Sequence, residues 1–176
     1  SPGQPFPRLE SLGLSLAVVL RGPGSGSPQI AHVSVPVTLP RFLPVPGGPH
    51  FIAVEAVIAA HAGHLFPSCQ VSGVHGFRVS RMGDVEIDEG ATASLLSAVA
   101  DEVEARPFKP VVRIEVRRGM PPEVLAFLLR ELRLERGADA APLGPQDVFE
   151  VDGLLDLRSF WQLADMGLPG AAYPPF

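Results

Sequence analysis

The sequence predicts an α+β domain: a mixed β-sheet of about five to six strands that starts with a β-hairpin, with three to four helices packed on it. The chain has 176 residues, which favours a single domain over residues 1–176. Apolar residues make up 46% of the chain and charged residues 19%, enough apolar material for a core. In the first part of the chain, apolar residues alternate with polar or small ones, as in strands. Further on, such segments interleave with segments whose apolar residues recur at helical spacing.

The predicted hairpin covers residues 12–20 and 31–39, where apolar side chains alternate with small or polar ones. Glycine, serine and proline dominate residues 21–28, which indicates a long turn between the two strands. Pro36 cannot donate a ladder hydrogen bond, so the second strand is expected to lie at a sheet edge or to end there.

An extended connector and a helix are predicted next. Residues 40–49 contain four prolines and two glycines, which disfavour a long regular element. Apolar residues then recur near helical spacing over residues 51–66, and Pro67 ends this helix. Residues 70–80 indicate a strand whose Gly73 and Gly76 favour a bulge or a close backbone approach.

Alternation of helix and strand continues to the end of the chain. Asp88 is expected to cap a helix that extends to Val103. The later predicted elements are a strand at 112–117, a helix at 119–132 that opens with prolines, a loop at 135–146, a strand at 148–151 and a helix at 156–165.

Charge and cysteine content exclude several classes of protein. The formal net charge of -5 disfavours binding to nucleic acid or to anionic membranes, because both require a positive surface. The most apolar stretch, residues 51–66, is shorter than the roughly 20 residues of a membrane-spanning helix, so no transmembrane segment is predicted. Cys69 is the only cysteine, which excludes an intrachain disulfide and favours a reducing compartment.

Metal and catalytic motifs are weak. His61 and His64 lie three residues apart, with Cys69 and His75 beyond them, but a second ligand pair at a fixed spacing is missing. The acidic alternation at residues 84–89 is explained by a solvated strand face and a helix cap. The sequence has neither a Gly-x-Ser-x-Gly elbow nor a Gly-Lys-Ser/Thr phosphate loop. We therefore predict no metal site and no catalytic residue in this chain.

Arginines form the strongest candidate site. Arg78 and Arg81 end the third predicted strand, and a second set surrounds the next strand: Arg113, Arg117 and Arg118. If the two strands pair, these guanidinium groups could converge and hold phosphates through bidentate bonds. Glu115 lies within the second set, so an ordinary salt-bridged sheet face is the alternative.

The segment that carries Arg78 and Arg81 also carries a family resemblance. Residues 77–89, F-R-V-S-R-M-G-D-V-E-I-D-E, resemble a signature of bacterial polyphosphate kinases, in which an F-R-V-T-R run precedes an acidic alternation. Further pieces match in the same order, at residues 6–20, 39–42, 65–67, 112–116, 151–157 and 174–176. Ser80 departs from the usual threonine, and the segment 135–146 is longer than is typical.

This resemblance implies the second of four domains, the head domain, with residues 1–8 and 166–176 as interdomain connector ends. The family transfers the γ-phosphate of ATP reversibly to polyphosphate through a phosphohistidine, with Mg2+ accompanying ATP, and those catalytic residues lie in other domains. The resemblance therefore implies a scaffold and dimerisation role, no cofactor in this chain and no activity of this chain alone. Arg78 and Arg81 are expected to face the polyphosphate path or another domain.

The resemblance also implies partners. They are the remaining domains of the longer enzyme, a second copy of it in a homo-oligomer, and polyphosphate with ATP or ADP; nucleic acid is not expected. The implied location is the cytoplasm, with membrane association of the longer enzyme left open. Two alternatives remain. One is a free-standing interaction module, and the other is a small phosphohydrolase with His75 as nucleophile, which would need arginines around that histidine.

Overall fold

A computed structural model of the chain describes residues 6–22, 27–82, 109–136 and 142–166. Its strands are β1 (Leu14–Arg21), β2 (Gln29–Ser34), β3 (Phe42–Val45), β4 (His50–Ala53), β5 (Gln70–Arg81), β6 (Val111–Arg117) and β7 (Val148–Val151). Its α-helices are α1 (Val54–Ala60), α2 (Ala62–Leu65), α3 (Pro122–Arg136) and α4 (Trp161–Asp165), and short 3₁₀ turns occupy Pro145–Asp147 and Leu157–Phe160.

Five of these strands form one mixed sheet in the order β2-β1-β5-β6-β7. The pairs β1–β2, β1–β5 and β5–β6 are antiparallel, whereas β6 and β7 are parallel. The predicted α+β class, the mixed sheet and the opening hairpin are therefore confirmed. Strand β2 lies at an edge and ends at Ser34, so the prediction drawn from Pro36 is also confirmed, although residues 35–39 do not continue the strand.

Both faces of the sheet are covered. On one face, α3 packs its buried Leu128 and Leu132 against Phe77 and Ile114. The small Ala17 of β1 belongs to the same cluster, which lets the helix approach closely. The other face has a second buried cluster, which includes Leu14, Leu16, Val18, Leu20, Val54, Ala62 and Leu155. The alternation of β1 thus assigns its leucines to one core and its small residues to the other.

The segment 40–66 differs from its prediction. Strands β3 and β4 pair as an antiparallel hairpin, so residues 40–49 are not simply an extended connector and residues 51–53 are not helical. In a two-stranded ladder, one edge of each strand has no partner strand. Pro44, which has no backbone N–H, is tolerated because no ladder hydrogen bond is required at that edge. Helix α1 begins at Val54, and it is separated from α2 at His61, whose ring Nδ1 hydrogen-bonds the Val57 carbonyl over 2.9 Å.

A bulge interrupts β5, as its glycines predict. Val19 pairs with Gly73 and Leu20 with Val71, so Ser72 is the extra residue. Gly73 also lies against a side chain, because a Cβ there would be 2.8 Å from Nε2 of His75. The predicted bulge is therefore confirmed at Gly73.

Helix α3 extends beyond its predicted end. It continues to Arg136, so the first two residues of the predicted loop at 135–146 are helical, because the charged residues after Leu132 are still good helix formers. The predicted helix after Asp88, the acidic alternation at 84–89 and residues 166–176 lie largely or wholly outside the described residues. Within the described ranges, no helix is long and apolar enough to cross a membrane.

Candidate functional site: an arginine–carboxylate network

Pairing of β5 with β6 brings the predicted arginine sets together. Arg78 lies opposite Glu115, and its Nε donates to Glu115 Oε2 over 2.5 Å. Its Nη1 donates to Asp156 Oδ1 over 3.1 Å. Arg113 shares the same glutamate, with its Nη2 3.0 Å from Oε1. The two arginines therefore converge, and two carboxylates hold them.

Asp156 joins this pair to a third arginine. Arg41 donates from Nη1 to the Asp156 backbone carbonyl over 2.7 Å and, from its other side, from Nη2 to Glu55 Oε1 over 2.6 Å. Asp156 has a left-handed backbone with φ 54°, which aspartate tolerates better than most residues, and it also accepts a hydrogen bond from Ser159. The result is a chain of alternating charges from Glu55 through Arg41, Asp156 and Arg78 to Glu115, and we call it the arginine–carboxylate network.

Gln162 fixes the same C-terminal segment to β3. Its side-chain Oε1 accepts hydrogen bonds from the backbone N–H groups of Arg41, over 2.8 Å, and Phe42, over 3.3 Å. Its Nε2 donates to the Phe42 carbonyl over 3.1 Å. The glutamine amide thus satisfies backbone groups of Arg41 and Phe42 at the start of β3, and segment 152–165 is held both by ion pairs and by hydrogen bonds of the Gln162 side chain.

Arg81 occupies a different place from Arg78. Residues three apart on a strand point to opposite faces, and Arg81 lies on the α3 side with a side chain only 1% exposed. Its guanidinium donates to the Leu9 carbonyl twice, over 3.0 and 2.7 Å, to the Lys109 carbonyl over 2.7 Å and to Glu135 over 2.5 Å. The sequence signal for this difference is the alternation of side chains along a strand, which places residues 78 and 81 on opposite faces of the sheet.

The other predicted arginines are more exposed. The guanidinium carbon of Arg113 lies 3.8 Å from the centre of the Phe149 ring, a cation–π contact. Arg118 pairs with Asp152 over 2.8 Å, and both side chains are exposed. Arg117 ends β6 on the surface. The structure therefore brings Arg78 and Arg113 into one cluster and leaves Arg118 in a surface ion pair.

Two adjoining clefts open beside the network. The first has a volume of about 480 Å³ and is lined by Arg78, Arg113, Arg158, Glu115 and several apolar residues. The second has a volume of about 300 Å³ and includes Val37 and Leu39 in its lining. Leu12 and Asp156 line both clefts, so the two form one groove. Sequence reasoning missed this groove, since its walls come from distant segments.

The histidine and cysteine candidates do not assemble. The rings of His61 and His64 lie 5.8 Å apart on the exposed side of α1 and α2. Among the residues that the structure describes, no group of three or more His, Cys, Asp or Glu side chains could hold a metal ion. His75 lies opposite Ala17 on the α3 side of the sheet, where Glu123 is the charged neighbour. No arginine of the described ranges forms a hydrogen bond with His75.

Two half-buried histidines make stability dependent on pH. Burial lowers the pKa of His32, which shares a 3.0 Å hydrogen bond with Ser15 Oγ. Burial also lowers the pKa of His75, although Glu123 partly offsets the effect. The unfolded chain therefore binds more protons than the folded chain once the pH falls through the ordinary histidine value of 6.5, and stability falls with pH there.

We expect urea unfolding to show that stability falls as the pH drops below that value, with a slope of at most about 1.4 kcal/mol per histidine per pH unit, until the histidines of the folded chain are protonated as well. The variant His32→Gln should reduce the slope, because it removes one of the two histidines whose pKa burial lowers. Equal slopes in the wild type and in His32→Gln would contradict the assignment.

Comparison with known proteins places this fold. A family model described as "Polyphosphate kinase middle domain" matches residues 1–163. The chain belongs to the polyphosphate kinase middle-domain family. A protein named polyphosphate kinase from Mycolicibacterium gilvum is 37% identical over 99% of this chain and 24% of its own length. A protein of the same name from Streptomyces coelicolor is 38% identical over 99% of this chain and 22% of its own length.

The fold also matches a solved structure of the same name. The crystal structure of polyphosphate kinase from Porphyromonas gingivalis matches 99% of this chain and 24% of its own chain, with a TM-score of 0.62 and 20% sequence identity. The chain therefore spans about a quarter of the length of the relatives that it matches, and the family resemblance drawn from residues 77–89 is confirmed.

Proposed function

We propose that this chain acts as the head domain of a polyphosphate kinase, which reversibly transfers the γ-phosphate of ATP to inorganic polyphosphate through a phosphohistidine. In this proposal the phosphohistidine, and the Mg2+ that accompanies ATP, belong to domains outside this chain. The head domain serves as a scaffold and contributes to the dimer contact of the longer enzyme. We place the enzyme in the cytoplasm, because a single cysteine fits a reducing compartment.

The observation that carries the proposal is the family match over residues 1–163 together with the length of the relatives. The named relatives are about four times as long as the aligned segment, since this chain covers 22–24% of them. That proportion favours an enzyme in which other domains carry out the phosphate transfer. This segment provides the scaffold, a rigid sheet that is covered on both faces.

The proposal predicts that the purified 176-residue chain makes no polyphosphate from ATP and Mg2+. The corresponding full-length protein should make it under the same conditions, because the transfer chemistry resides in its other domains. Incubation with radiolabelled ATP followed by gel separation of long-chain products measures both. Robust synthesis by the chain alone, or none by the full-length protein, would contradict the proposal.

Within this function, we propose that the end of β5, which carries Arg78 and Arg81, lies at the polyphosphate path or at a contact with another domain. Arg78 acts directly, because it lines the open groove. Arg81 acts by fixing the end of β5, since its guanidinium is enclosed by backbone carbonyls and Glu135.

The variant Arg78→Lys tests this role, because lysine keeps the charge but loses the planar fork that contacts two carboxylates. In the full-length enzyme we expect about a tenfold rise in KM for polyphosphate or a comparable weakening of assembly, which corresponds to the loss of about one charge-assisted hydrogen bond. The matched control is Arg118→Lys, at an exposed surface pair. Kinetics and oligomeric state equal to those of the control would make Arg78 a purely structural residue.

A further inference from the structure

We infer that the groove beside the arginine–carboxylate network is an interdomain docking surface, occupied by a segment of the longer polypeptide that carries apolar and acidic side chains. The inference rests on the proposed function, since it requires that polypeptide. It assigns the groove to protein contact rather than to the polyphosphate chain.

The rim of the groove is apolar and exposed. Val37 is 84% exposed and Leu157 is 70% exposed. Leu12 and Leu39, which also line the groove, are exposed apolar residues as well. Isolated exposed apolar residues are common in proteins, but four that line one concave surface form a patch. Such patches mark surfaces that another element covers.

The charges in the groove define the chemistry of the occupant. Its first cleft is lined by three arginines, Arg78, Arg113 and Arg158, against the two carboxylates Glu115 and Asp156. Arg158 is exposed, and no carboxylate of the described ranges forms an ion pair with it. An acidic side chain on the occupant would balance that charge, whereas apolar side chains would cover the rim. A polyphosphate chain fits less well, because its phosphates would lose hydrating water at the apolar rim. The apolar side chains of the rim offer no polar group that would replace those hydrogen bonds.

The groove is also built in advance of binding. Asp156 holds its C-terminal wall to β5 through the ion pair with Arg78, and Gln162 holds it to the start of β3 through side-chain hydrogen bonds. Little ordering is therefore required when a partner docks. The longer relatives supply a partner within the same chain, because three quarters of their length lies outside the aligned segment. An occupant linked covalently to the domain acts at a high effective concentration, which favours it over a second copy.

Hydroxyl-radical footprinting measures this coverage side chain by side chain. Leu157 and Leu134 provide a matched pair, since they are the same residue type with exposures of 70% and 68% and Leu134 lies on α3, away from the groove. We expect oxidation of Leu157 and Val37 to fall at least about fivefold in the full-length protein relative to the 176-residue chain, as for side chains at the core of an interface. Oxidation of Leu134 should remain the same. In the full-length protein, Leu157→Glu should restore oxidation of Val37.

Three results would overturn the inference. One is equal oxidation of Leu157 in the two proteins. Another is protection of the isolated chain that increases with its concentration, which would assign the groove to a second copy. The last is protection of the isolated chain by added polyphosphate. If the full-length protein makes polyphosphate while Leu157 stays exposed, only the docking inference fails; if it makes none, the proposed function fails.

Discussion

Replacement of Arg81 by alanine should lower the free energy of unfolding by about 3–5 kcal/mol, the range measured when one partner of a buried ion pair is removed. The Arg81 side chain is 1% exposed and contacts Glu135 over 2.5 Å. Its removal would leave the Leu9 carbonyl without two of its donors and Glu135 without its buried partner. Both losses occur where water cannot easily replace the missing bonds.

A matched control lies on the same carboxylate. Arg8 also binds Oε1 of Glu135, over 2.8 Å, but its side chain is exposed. Arg8→Ala should therefore cost no more than about 1 kcal/mol. Urea unfolding followed by circular dichroism compares the two variants. If Arg81→Ala is too unstable to measure, Arg81→Lys should fall between them, since lysine keeps the charge and loses the fork. Equal losses for Arg81→Ala and Arg8→Ala would refute a buried structural role.

The spacing of apolar residues was sufficient to predict an element wherever those residues are the ones that the fold buries. The alternation in β1 and β6 and the leucine stripe of α3 specify which side chains face each core, so these elements were predicted close to their observed bounds. Pro36 located the end of β2 and Gly73 located a bulge, because each residue has a specific backbone effect.

Residues 40–53 show where local pattern is insufficient. Their prolines predict an extended connector, and the apolar residues after them match helical spacing. The hairpin of β3 and β4 forms because its backbone groups pair with each other, and Gln162 hydrogen-bonds Phe42 on β3 from 120 residues away. That partner cannot be read from the segment itself, since it depends on the tertiary fold.

The candidate site has the same limitation. Arg78 was singled out from the sequence because it lies near the end of a predicted strand that could pair with a second arginine-bearing strand, and it also belongs to the family signature, whereas Arg41 and Asp156 were not singled out. Arg41 contacts Asp156 across 115 residues of sequence, and the left-handed backbone of Asp156 orients its carboxylate between two arginines. A chain of charges assembled from four separate segments has no sequence spacing that would reveal it.

The arginine–carboxylate network also leads to a second large effect, at Asp156. The variant Asp156→Asn should lower the free energy of unfolding by about 3 kcal/mol, because it removes the negative charge shared by the buried Arg41 and by Arg78. Asparagine tolerates the left-handed backbone as aspartate does, so the change isolates the charge from backbone strain. Urea unfolding of the purified chain measures the loss.

Asp152→Asn is the control for that variant, since Asp152 lies in the same segment and pairs with Arg118 at an exposed site. Its expected cost is at most about 1 kcal/mol, as for other exposed ion pairs. A loss at Asp156 no larger than that at Asp152 would show that apolar packing around Leu155, rather than charge, holds segment 152–165 to the sheet. The predicted difference of about 2 kcal/mol would instead identify Asp156 as the residue that joins β3, β5 and the C-terminal wall of the groove.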